Sequence, residues 1–473
     1  MSACADGLSS QPYWFAQAMQ RETGPPPNGL ENDLQTDVCI VGGGYTGLWT
    51  AIFLKRQQPN LGVVVIDKGL CGSGASGRNG GCLLTWSTKY SSLKKLYGEP
   101  EAIRLVKASE QAVYEIARFC KEHNIDAQLR MNGTLYTATN SAQKGLMNSV
   151  LAQLDQDQIS SWQQWQQTRV QQESGSALHQ EGFYSPVAAS VQPAMLARGL
   201  KQVAEKMGVK VYENTPMQTF NAKTPMSITT PKATISAKKV VLALNAWMLE
   251  KFPQFKRSVV LVSSDMAITK PIPEKLAAMG LKDGKNVVDL RTFVHYYRTT
   301  PDGRLMLGKG GNYFPFANKI SKVFDQPSRY TQILRGSFNR LFPSLLDEPF
   351  VTTWTGASDR STTGLPFFGK LNGQDDVVYG LGYSGNGVAQ TWIGGQILAS
   401  ITLNQENQWS QCGLVSGPQG QFPPEPVRWF GAMLIRNAIR RKERAEDSGR
   451  KPFWLDKQLA KLANAVAKTD QQD

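Results

Sequence analysis

The chain has 473 residues, of which 41% are hydrophobic and 19% are charged, and its formal net charge is +14 at pH 7. This length favours two domains over one compact core, and the composition excludes a largely disordered chain. The positive charge favours anionic partners. Six cysteines without a C-x-x-C pair and three dispersed histidines argue against a disulfide framework and against any metal site.

The amino-terminal sequence MSACADGLSS has neither the basic region nor the apolar region of a secretory signal. The longest apolar runs fall short of the roughly 20 residues that cross a bilayer. We therefore expect a cytoplasmic protein in a reducing compartment.

A strand, a glycine turn, a helix and a second strand are predicted between residues 37 and 69. DVCIV precedes GGGYTG, a helical pattern follows, and GVVVIDKG completes the unit. Gly42, Gly44 and Gly47 fit G-x-G-x-x-G, in which glycines permit a tight turn, close approach to a pyrophosphate and helix packing. Asp67 ends the second strand, where a carboxylate accepts hydrogen bonds from ribose hydroxyls. The unit predicts dinucleotide binding but fits both NAD and FAD.

Two further glycine-rich stretches are GASGRNGG at residues 74–81 and GYSGNGV at residues 382–388. The first follows the second strand, so its backbone can approach the cofactor closely, with Ser76 serving phosphate oxygens. Arg78 would place a fixed positive charge near the pyrophosphate or the redox-active ring. The second stretch reads as a loop before a helix, whose free N–H groups at 384–388 would face a developing negative charge.

Residues 293–300 form a strand pattern that ends at the Pro301-Asp302-Gly303 turn. In a strand, Tyr296 and Arg298 point to one face, whereas His295 and Tyr297 point to the other. An arginine beside a tyrosine can hold a carboxylate bidentately, which makes Arg298 the predicted substrate anchor. A strand arginine facing solvent is the alternative.

These segments, in this order, resemble the FAD-dependent D-amino acid oxidase superfamily, particularly the branch that contains gamma-glutamylputrescine oxidoreductase. The resemblance includes WTGASDRSTTGLPFFGKL at 354–371 and extends over most of residues 37–400. It implies an α/β (α+β overall) fold, in which a Rossmann-like FAD-binding domain is interleaved with an antiparallel-sheet substrate domain. The implied ranges are 30–90, 190–250 and 350–425 for FAD, 91–189 and 251–349 for substrate, and a helical tail at 426–473.

The motifs and the resemblance together predict a set of site residues. Thr363 and Asn386 depart from the family pattern, which usually has aspartate and histidine there. The predicted catalytic residues are Arg298, Tyr296, Trp354 and Tyr383. The predicted cofactor-binding residues are Gly42, Gly44, Tyr45, Thr46, Gly47, Asp67, Lys68, Ser76, Gly77, Arg78, Asn79, Gly80, Gly81, Met217, Asn245, Ala246, Trp247, Gly382, Tyr383, Ser384, Gly385, Asn386, Gly387 and Val388.

The resemblance also implies an activity. A superfamily member transfers a hydride from the carbon beside an amine to FAD, and the resulting imine hydrolyses. The implied substrates are amines or amino acids, including gamma-glutamylated polyamines and secondary amines, with oxygen or a quinone as electron acceptor. Non-covalent FAD and no nucleic-acid partner are expected. A non-catalytic flavin-binding partner protein and an NAD-linked dehydrogenase remain alternatives.

The tail from residue 426 has a basic, helical pattern. Trp429, Phe430, Met433, Leu434, Ala438 and Ile439 can share an apolar stripe, with Arg436, Arg440, Arg441 and Arg444 toward the other side. Such a helix docks on its own core or a second subunit, or it lies on the inner face of a membrane. The oligomeric state stays open.

Overall fold

The computed structural model describes residues 12–23, 27–223, 225–463 and 469–470. The α-helices of this part of the chain are α1 Tyr13–Arg21, α2 Tyr45–Gln57, α3 Tyr90–Tyr97, α4 Glu99–Glu122, α5 Asn148–Gln156, α6 Gln167–Ser174, α7 Pro193–Lys206, α8 Met248–Lys251, α9 Pro273–Ala278, α10 Thr331–Leu341, α11 Gln390–Thr402, α12 Val427–Asp447 and α13 Trp454–Lys461.

The strands form two large sheets and one short pair. They are β1 Leu34–Val41, β2 Val63–Ile66, β3 Cys82–Leu83, β4 Thr134–Ala138, β5 Gln163–Trp165, β6 Glu181–Ser185, β7 Ala189–Ser190, β8 Lys210–Tyr212, β9 Thr219–Asn221, β10 Met226–Thr229, β11 Thr234–Leu242, β12 Val259–Thr269, β13 Asn286–Asp289, β14 His295–Thr299, β15 Leu305–Gly310, β16 Phe350–Ser361, β17 Phe367–Leu371 and β18 Gln374–Leu381.

The first sheet has a parallel centre in the order β18, β11, β1, β2 and β8. β17 pairs antiparallel with β18, and β10 and β9 extend from β11 as an antiparallel hairpin. The continuous apolar run at the end of β1 is buried on both faces, as is typical of parallel strands. The parallel strands end at Val41, Ile66, Leu242 and Leu381, so these ends meet at one edge of the sheet.

The second sheet follows the order β16, β12, β15, β14, β13, β4, β6 and β5. All neighbours pair antiparallel except β13 and β4, which are parallel. The chain enters this sheet twice, as β4–β6 after β3 and as β12–β16 after β11, and it returns to the first sheet at β17. The two interleaved sheets confirm the predicted fold class.

Two elements differ from the predicted domain ranges. Residues 350–361 were predicted in the FAD domain, but they form β16 and pair with β12 along the second sheet. Helix α4 was predicted in the substrate domain, but it packs against the helices of the first sheet, with the ring of Phe119 4.8 Å from that of Trp49 on α2. The rest of the predicted division into domains stays a prediction.

The predicted tail forms an antiparallel pair of helices, α12 and α13, which an ion pair between Arg441 and Asp456 connects. Residues 464–468 and 471–473 of the predicted range lie outside the described residues. No helix in the described part of the chain is long and apolar enough to pass through a bilayer.

The predicted single apolar stripe on α12 is wrong in part. Ala438 and Ile439 are buried, but Phe430 and Leu434 are exposed. Arg440, predicted on the outer side, instead donates to the backbone oxygen of Asn312, as does Arg436. The helix therefore presents apolar residues on both faces.

Candidate functional site

A cavity of about 990 Å³ lies between the carboxyl edge of the first sheet and the face of the second sheet. The end of β1, the end of β2 and the turn after β11 contribute one wall. Strands β12, β14 and β16 contribute the opposite wall. This position, at the carboxyl ends of parallel strands, is where α/β proteins bind ligands.

The turn between β1 and α2 requires its glycines. Gly42 has a φ of +117°, and a Cβ there would lie 2.4 Å from the backbone oxygen of Ala243. A Cβ on Gly47 would lie 2.0 Å from the Gly42 oxygen, so the helix could not pack at this distance. Gly42, Gly44, Tyr45 and Thr46 line the cavity, whereas Gly47 supports the turn from behind.

Asp67 lies where β2 ends, as predicted, and it lines the cavity. Its two carboxylate oxygens accept from the backbone N–H groups of Gly43 and Gly69, at 2.8 and 2.9 Å. Burial raises the pKa of Asp67 despite these bonds. Lys68 also lines the cavity, with its ammonium 4.5 Å from the Trp247 ring centroid. Asp67 thus orders the glycine turn in addition to its predicted contact with ribose.

Within residues 74–81, a turn of 3-10 helix brings Ser76 to the start of α2. Its hydroxyl accepts from the backbone N–H of Tyr45 at 2.9 Å. The Asn79 side chain donates to the backbone oxygen of Ser76 at 2.8 Å and accepts from the Gly81 N–H at 2.8 Å, which holds the turn closed. Ser76, Asn79 and Gly80 line the cavity, but Gly77 and Gly81 pack behind it.

Arg78 lines the cavity, but its guanidinium has protein partners. Its Nε donates to the Ser73 oxygen at 2.8 Å, one terminal nitrogen donates to the Phe324 oxygen, and the other pairs with Asp325 at 2.8 Å. The predicted phosphate or ring contact is therefore not the main task of this side chain. Arg78 instead ties the glycine-rich turn to residues 324–325.

The loop after β18 forms the wall that the second glycine-rich stretch was predicted to form. Tyr383, Gly385, Gly387 and Val388 line the cavity, and the Tyr383 hydroxyl accepts from Thr46 at 2.9 Å. Gly382, Ser384 and Asn386 do not line it.

The N–H groups of the 384–388 loop are partly engaged already. Those of Ser384 and Asn386 donate to the backbone oxygens of Asp359 and Tyr383, at 2.9 and 3.0 Å. Only part of the predicted N–H array is therefore directed at a ligand.

The remaining predicted cofactor residues cluster at the other end of the cavity. Met217, Asn245 and Trp247 line it, while Ala246 is buried beneath. The side-chain oxygen of Asn245 is buried and has no hydrogen-bond partner among the described residues. The hydroxyl of Ser358 on β16 is in the same situation. A bound dinucleotide rich in polar atoms would supply these partners, so the residues of this cavity fit FAD.

Two predicted catalytic residues do not reach the cavity. Arg298 is buried and donates to the backbone oxygens of Gly80 and Val191, at 2.7 and 2.5 Å. It therefore braces the wall and does not fit the predicted substrate anchor. Trp354 donates from its indole nitrogen to the Arg78 oxygen at 2.9 Å and packs edge-on against Trp14, which makes it a core residue.

Tyr296 does line the cavity, as the strand alternation predicted. Its hydroxyl shares a hydrogen bond of 2.8 Å with the Ser264 hydroxyl on β12. Burial raises the pKa of Tyr296, and the Ser264 bond and the charge of Arg360 oppose that rise. Tyr296 therefore stays a neutral hydroxyl near a positive charge.

Asp359 and Arg360, at the end of β16, are cavity residues that were not predicted. The Asp359 carboxylate accepts from the Gly382 N–H, and burial raises the pKa of Asp359 to about 6. Arg360 donates to the Ser384 backbone oxygen, and its removal from water lowers the pKa of Arg360. Adjacent opposite charges inside an otherwise uncharged strand were the signal in the sequence.

Among the described residues, no group of histidine, cysteine, aspartate and glutamate is arranged to hold a metal ion. The polar groups at the cavity instead suit an organic cofactor and a charged ligand.

A parallel sheet with a glycine turn at its carboxyl edge, closed by a second sheet across a long cavity, defines a dinucleotide-dependent enzyme of two interleaved sheets. The family model described as FAD dependent oxidoreductase (DAO) matches residues 37–401, and the chain belongs to this family. The cofactor is therefore FAD, and the chain is an FAD-dependent oxidoreductase. The predicted superfamily is confirmed.

Several known proteins are similar to this chain. Gamma-glutamylputrescine oxidoreductase of Escherichia coli (strain K12) is 28% identical over 386 residues, which cover 80% of this chain and 85% of that protein. The probable oxidoreductase OrdL of Haemophilus influenzae is 24% identical over 405 residues, covering 84% and 89%. The crystal structure of glycine oxidase from Geobacillus kaustophilus shares the fold, with a TM-score of 0.66, 19% identity and coverage of 82% and 100%.

Proposed function

We propose that this enzyme oxidises the C–N bond of an amine or amino acid that carries an anionic group. The observation that carries the proposal is the placement of Arg360 and Tyr296 in the wall of the cavity that the second sheet provides. A guanidinium and a neutral hydroxyl together suit a carboxylate. The similarity to gamma-glutamylputrescine oxidoreductase supports an amine that bears a gamma-glutamyl group, which has such a carboxylate.

FAD, when bound, accepts a hydride from the carbon that carries the amine, and the imine product then hydrolyses in water. The chain must orient this C–H bond and admit a neutral amine. Arg360 and Tyr296 hold the anionic end of the substrate and so fix its register in the cavity. Asp359 adds a carboxyl group beside Arg360, and its negative charge favours the charged form of that guanidinium.

We further propose that FAD is bound without a covalent link. Cys82 is the one cysteine among the described residues that line the cavity. It is therefore the side chain to test as a site of covalent flavin attachment. Acid precipitation of the purified enzyme should leave all yellow colour in the supernatant. Flavin that stays with the pellet in the natural chain but not in Cys82→Ala would contradict non-covalent binding.

Oxygen or a quinone would take the electrons from the reduced cofactor, and the enzyme would act in the cytoplasm or at the inner face of a membrane. Stopped-flow reoxidation with dissolved oxygen and with a water-soluble quinone compares the two acceptors directly. The faster one at equal concentration is the assigned acceptor.

The substrate proposal is tested by anaerobic mixing of the enzyme with gamma-glutamylated polyamines, free polyamines, N-methyl amino acids and D-amino acids. We expect bleaching of the flavin absorbance by a member that carries a carboxylate and not by its uncharged analogue. Arg360→Gln should raise KM for that substrate by about tenfold to a hundredfold with a smaller change in kcat, because a charged hydrogen bond is lost. Equal bleaching by charged and uncharged analogues would overturn the anionic-substrate proposal.

A further inference from the structure

The exposed apolar side chains of this protein are concentrated on the helical pair α12–α13. Thirteen large hydrophobic side chains are exposed among the described residues, and seven of these lie between residues 427 and 462. We call these seven the hairpin patch. They are between 42% and 70% exposed, and they are Val427, Phe430, Leu434, Phe453, Trp454, Leu455 and Leu462. Concentrated exposed apolar surface marks an interaction site.

The hairpin patch is not the face by which the helices dock on the protein. Ala438, Ile439 and Glu443 of α12 are buried, and the backbone N–H of Phe293 donates to the Glu443 carboxylate at 3.3 Å. The inner face of α12 is therefore already covered. The outer face of α12 has apolar residues that do not pack against the core of the protein and therefore stay exposed.

Aromatic contacts extend the hairpin patch onto the body of the protein. The ring of Phe316, which is 54% exposed, lies 6.0 Å from Trp429, and Trp429 lies 5.2 Å from Phe430. A second aromatic pair lies at the start of α13, where the ring of Phe453 is 5.9 Å from the ring of Trp454, the first residue of the helix. Aromatic and leucine side chains of this kind favour the boundary between headgroups and acyl chains.

Positive charges accompany the hairpin patch. Residues 426–473 include eleven lysines and arginines against six acidic residues. Three of these cations do not belong to the outer face, because Arg428 is buried and Arg436 and Arg440 donate to the Asn312 backbone oxygen. On α12, Phe430, Leu434 and Arg441 follow at intervals of four and seven, so they lie on one stripe. Arg444 and Lys457 are exposed nearby on the same two helices. Exposed apolar residues next to cations are the pattern of a helix that lies on an anionic interface.

We propose that the outer face of α12–α13 binds the surface of an anionic phospholipid bilayer. The hairpin patch enters the headgroup boundary, and Arg444 and Lys457 face the lipid phosphates. A second copy of the chain is a poorer occupant, because the exposed cations Arg444 and Lys457 on two such faces would repel. The proposal is independent of the substrate, since it concerns a surface outside the cavity.

The test is sedimentation of the purified holoenzyme with vesicles. We expect binding to vesicles of phosphatidylcholine with phosphatidylglycerol, at least about tenfold weaker binding to phosphatidylcholine alone, and release by salt. Phe430→Ser combined with Leu434→Ser should lower the partition coefficient at least about tenfold, because two apolar side chains no longer enter the interface. Arg444→Gln combined with Lys457→Gln should reduce the preference for the anionic vesicles.

Matched controls are Ile333→Ser and Leu346→Ser, which remove exposed apolar side chains outside the hairpin and should leave vesicle binding unchanged. Flavin reduction by an amine in solution should be equal in all these variants, so failure of vesicle binding is distinguishable from failure of the proposed oxidation. Absence of sedimentation with anionic vesicles overturns the proposal. A second outcome also overturns it: the natural chain is a dimer in solution, and the Phe430→Ser, Leu434→Ser variant is a monomer that still binds vesicles. That result would assign the hairpin patch to contact with a second copy of the chain.

Discussion

The Arg78 guanidinium meets the Asp325 carboxylate at 2.8 Å, and both residues line the cavity. Arg78 belongs to the glycine-rich turn that follows β2, and Asp325 belongs to the segment between β15 and α10. Lys319, Ser321 and Lys322 of that segment also line the cavity. The ion pair therefore holds part of the segment against the wall of the cavity.

Asp325→Asn should accelerate FAD release about twofold to fivefold, because the pair is partly exposed and solvent screens it. Arg78→Ala should accelerate release about tenfold or more, because it also removes the bonds to the Ser73 and Phe324 oxygens. The measurement is the rate of appearance of free flavin fluorescence after dilution. Asp375→Asn removes one partner of a looser, exposed ion pair with Lys370 and is the matched control; equal release from all four proteins would show that the contact does not retain FAD.

Arg298→Ala should destabilise the protein by about 3 kcal/mol or more and should not selectively raise KM. The substitution leaves the Gly80 and Val191 oxygens without their donor and opens a void beside Trp14, 5.0 Å from the guanidinium carbon. Urea unfolding of the holoenzyme measures the loss. Normal stability together with a large increase in KM would restore Arg298 as the substrate anchor.

Local patterns predicted the wall of the cavity that the first sheet provides. The strand, glycine turn and helix at 34–57 and the position of Asp67 depend on short-range backbone chemistry, which a single stretch of sequence contains. The alternation along β14 also predicted that Tyr296 and Arg298 share a face. The alternation did not indicate that Arg298 bonds to the backbone of Gly80 and Val191. These two residues precede Arg298 in the sequence by 218 and 107 positions, so no local pattern contains the contacts.

The missed residues were missed for the same reason. The sequence shows Asp359 and Arg360 as two charges within a predicted strand. Their position in the cavity wall depends on the pairing of β16 with β12, which lies nearly a hundred residues earlier in the sequence. Segment 319–325 has no hydrophobic periodicity that would indicate a role. Its contact with the glycine-rich turn at 74–81, through Asp325 and Arg78, is a long-range contact that only the fold creates. Long-range sheet pairing thus determined the wall that the second sheet provides, whereas local motifs determined the wall that the first sheet provides.

Asp359→Asn should change how stability depends on pH. The pKa of Asp359 is raised from its ordinary 3.8 to about 6 by burial, so between these values the unfolded chain has lost a proton that the folded chain retains. The contribution of Asp359 to the free energy of unfolding is therefore greatest below about pH 4. It decreases by about 3 kcal/mol as the pH rises from about 4 through 6. Asn cannot ionise, so the variant should gain stability over the natural chain above pH 6 and match it near pH 4.

Urea midpoints of the holoenzyme at pH 4, 5, 6 and 7 measure this profile. Asp375→Asn, at a carboxylate whose side chain is 92% exposed, is the control and should follow the natural chain at each pH. A constant difference between Asp359→Asn and the natural chain across the series would show that burial does not govern this carboxyl group.

Gly47→Ala and Gly431→Ala should have opposite effects, although both lie within helices. A Cβ at Gly47 would lie 2.0 Å from the Gly42 oxygen, so α2 must shift away from β1 and the glycine turn between them must open. We expect loss of FAD at purification and a stability loss of about 3 kcal/mol or more. At Gly431 on α12 a Cβ meets no atom within 4 Å, so alanine should stabilise by about 0.5–1 kcal/mol through its higher helix propensity. Flavin content per chain and the urea midpoint measure both effects, and full FAD retention in Gly47→Ala would contradict the close helix–strand contact that the cofactor turn requires.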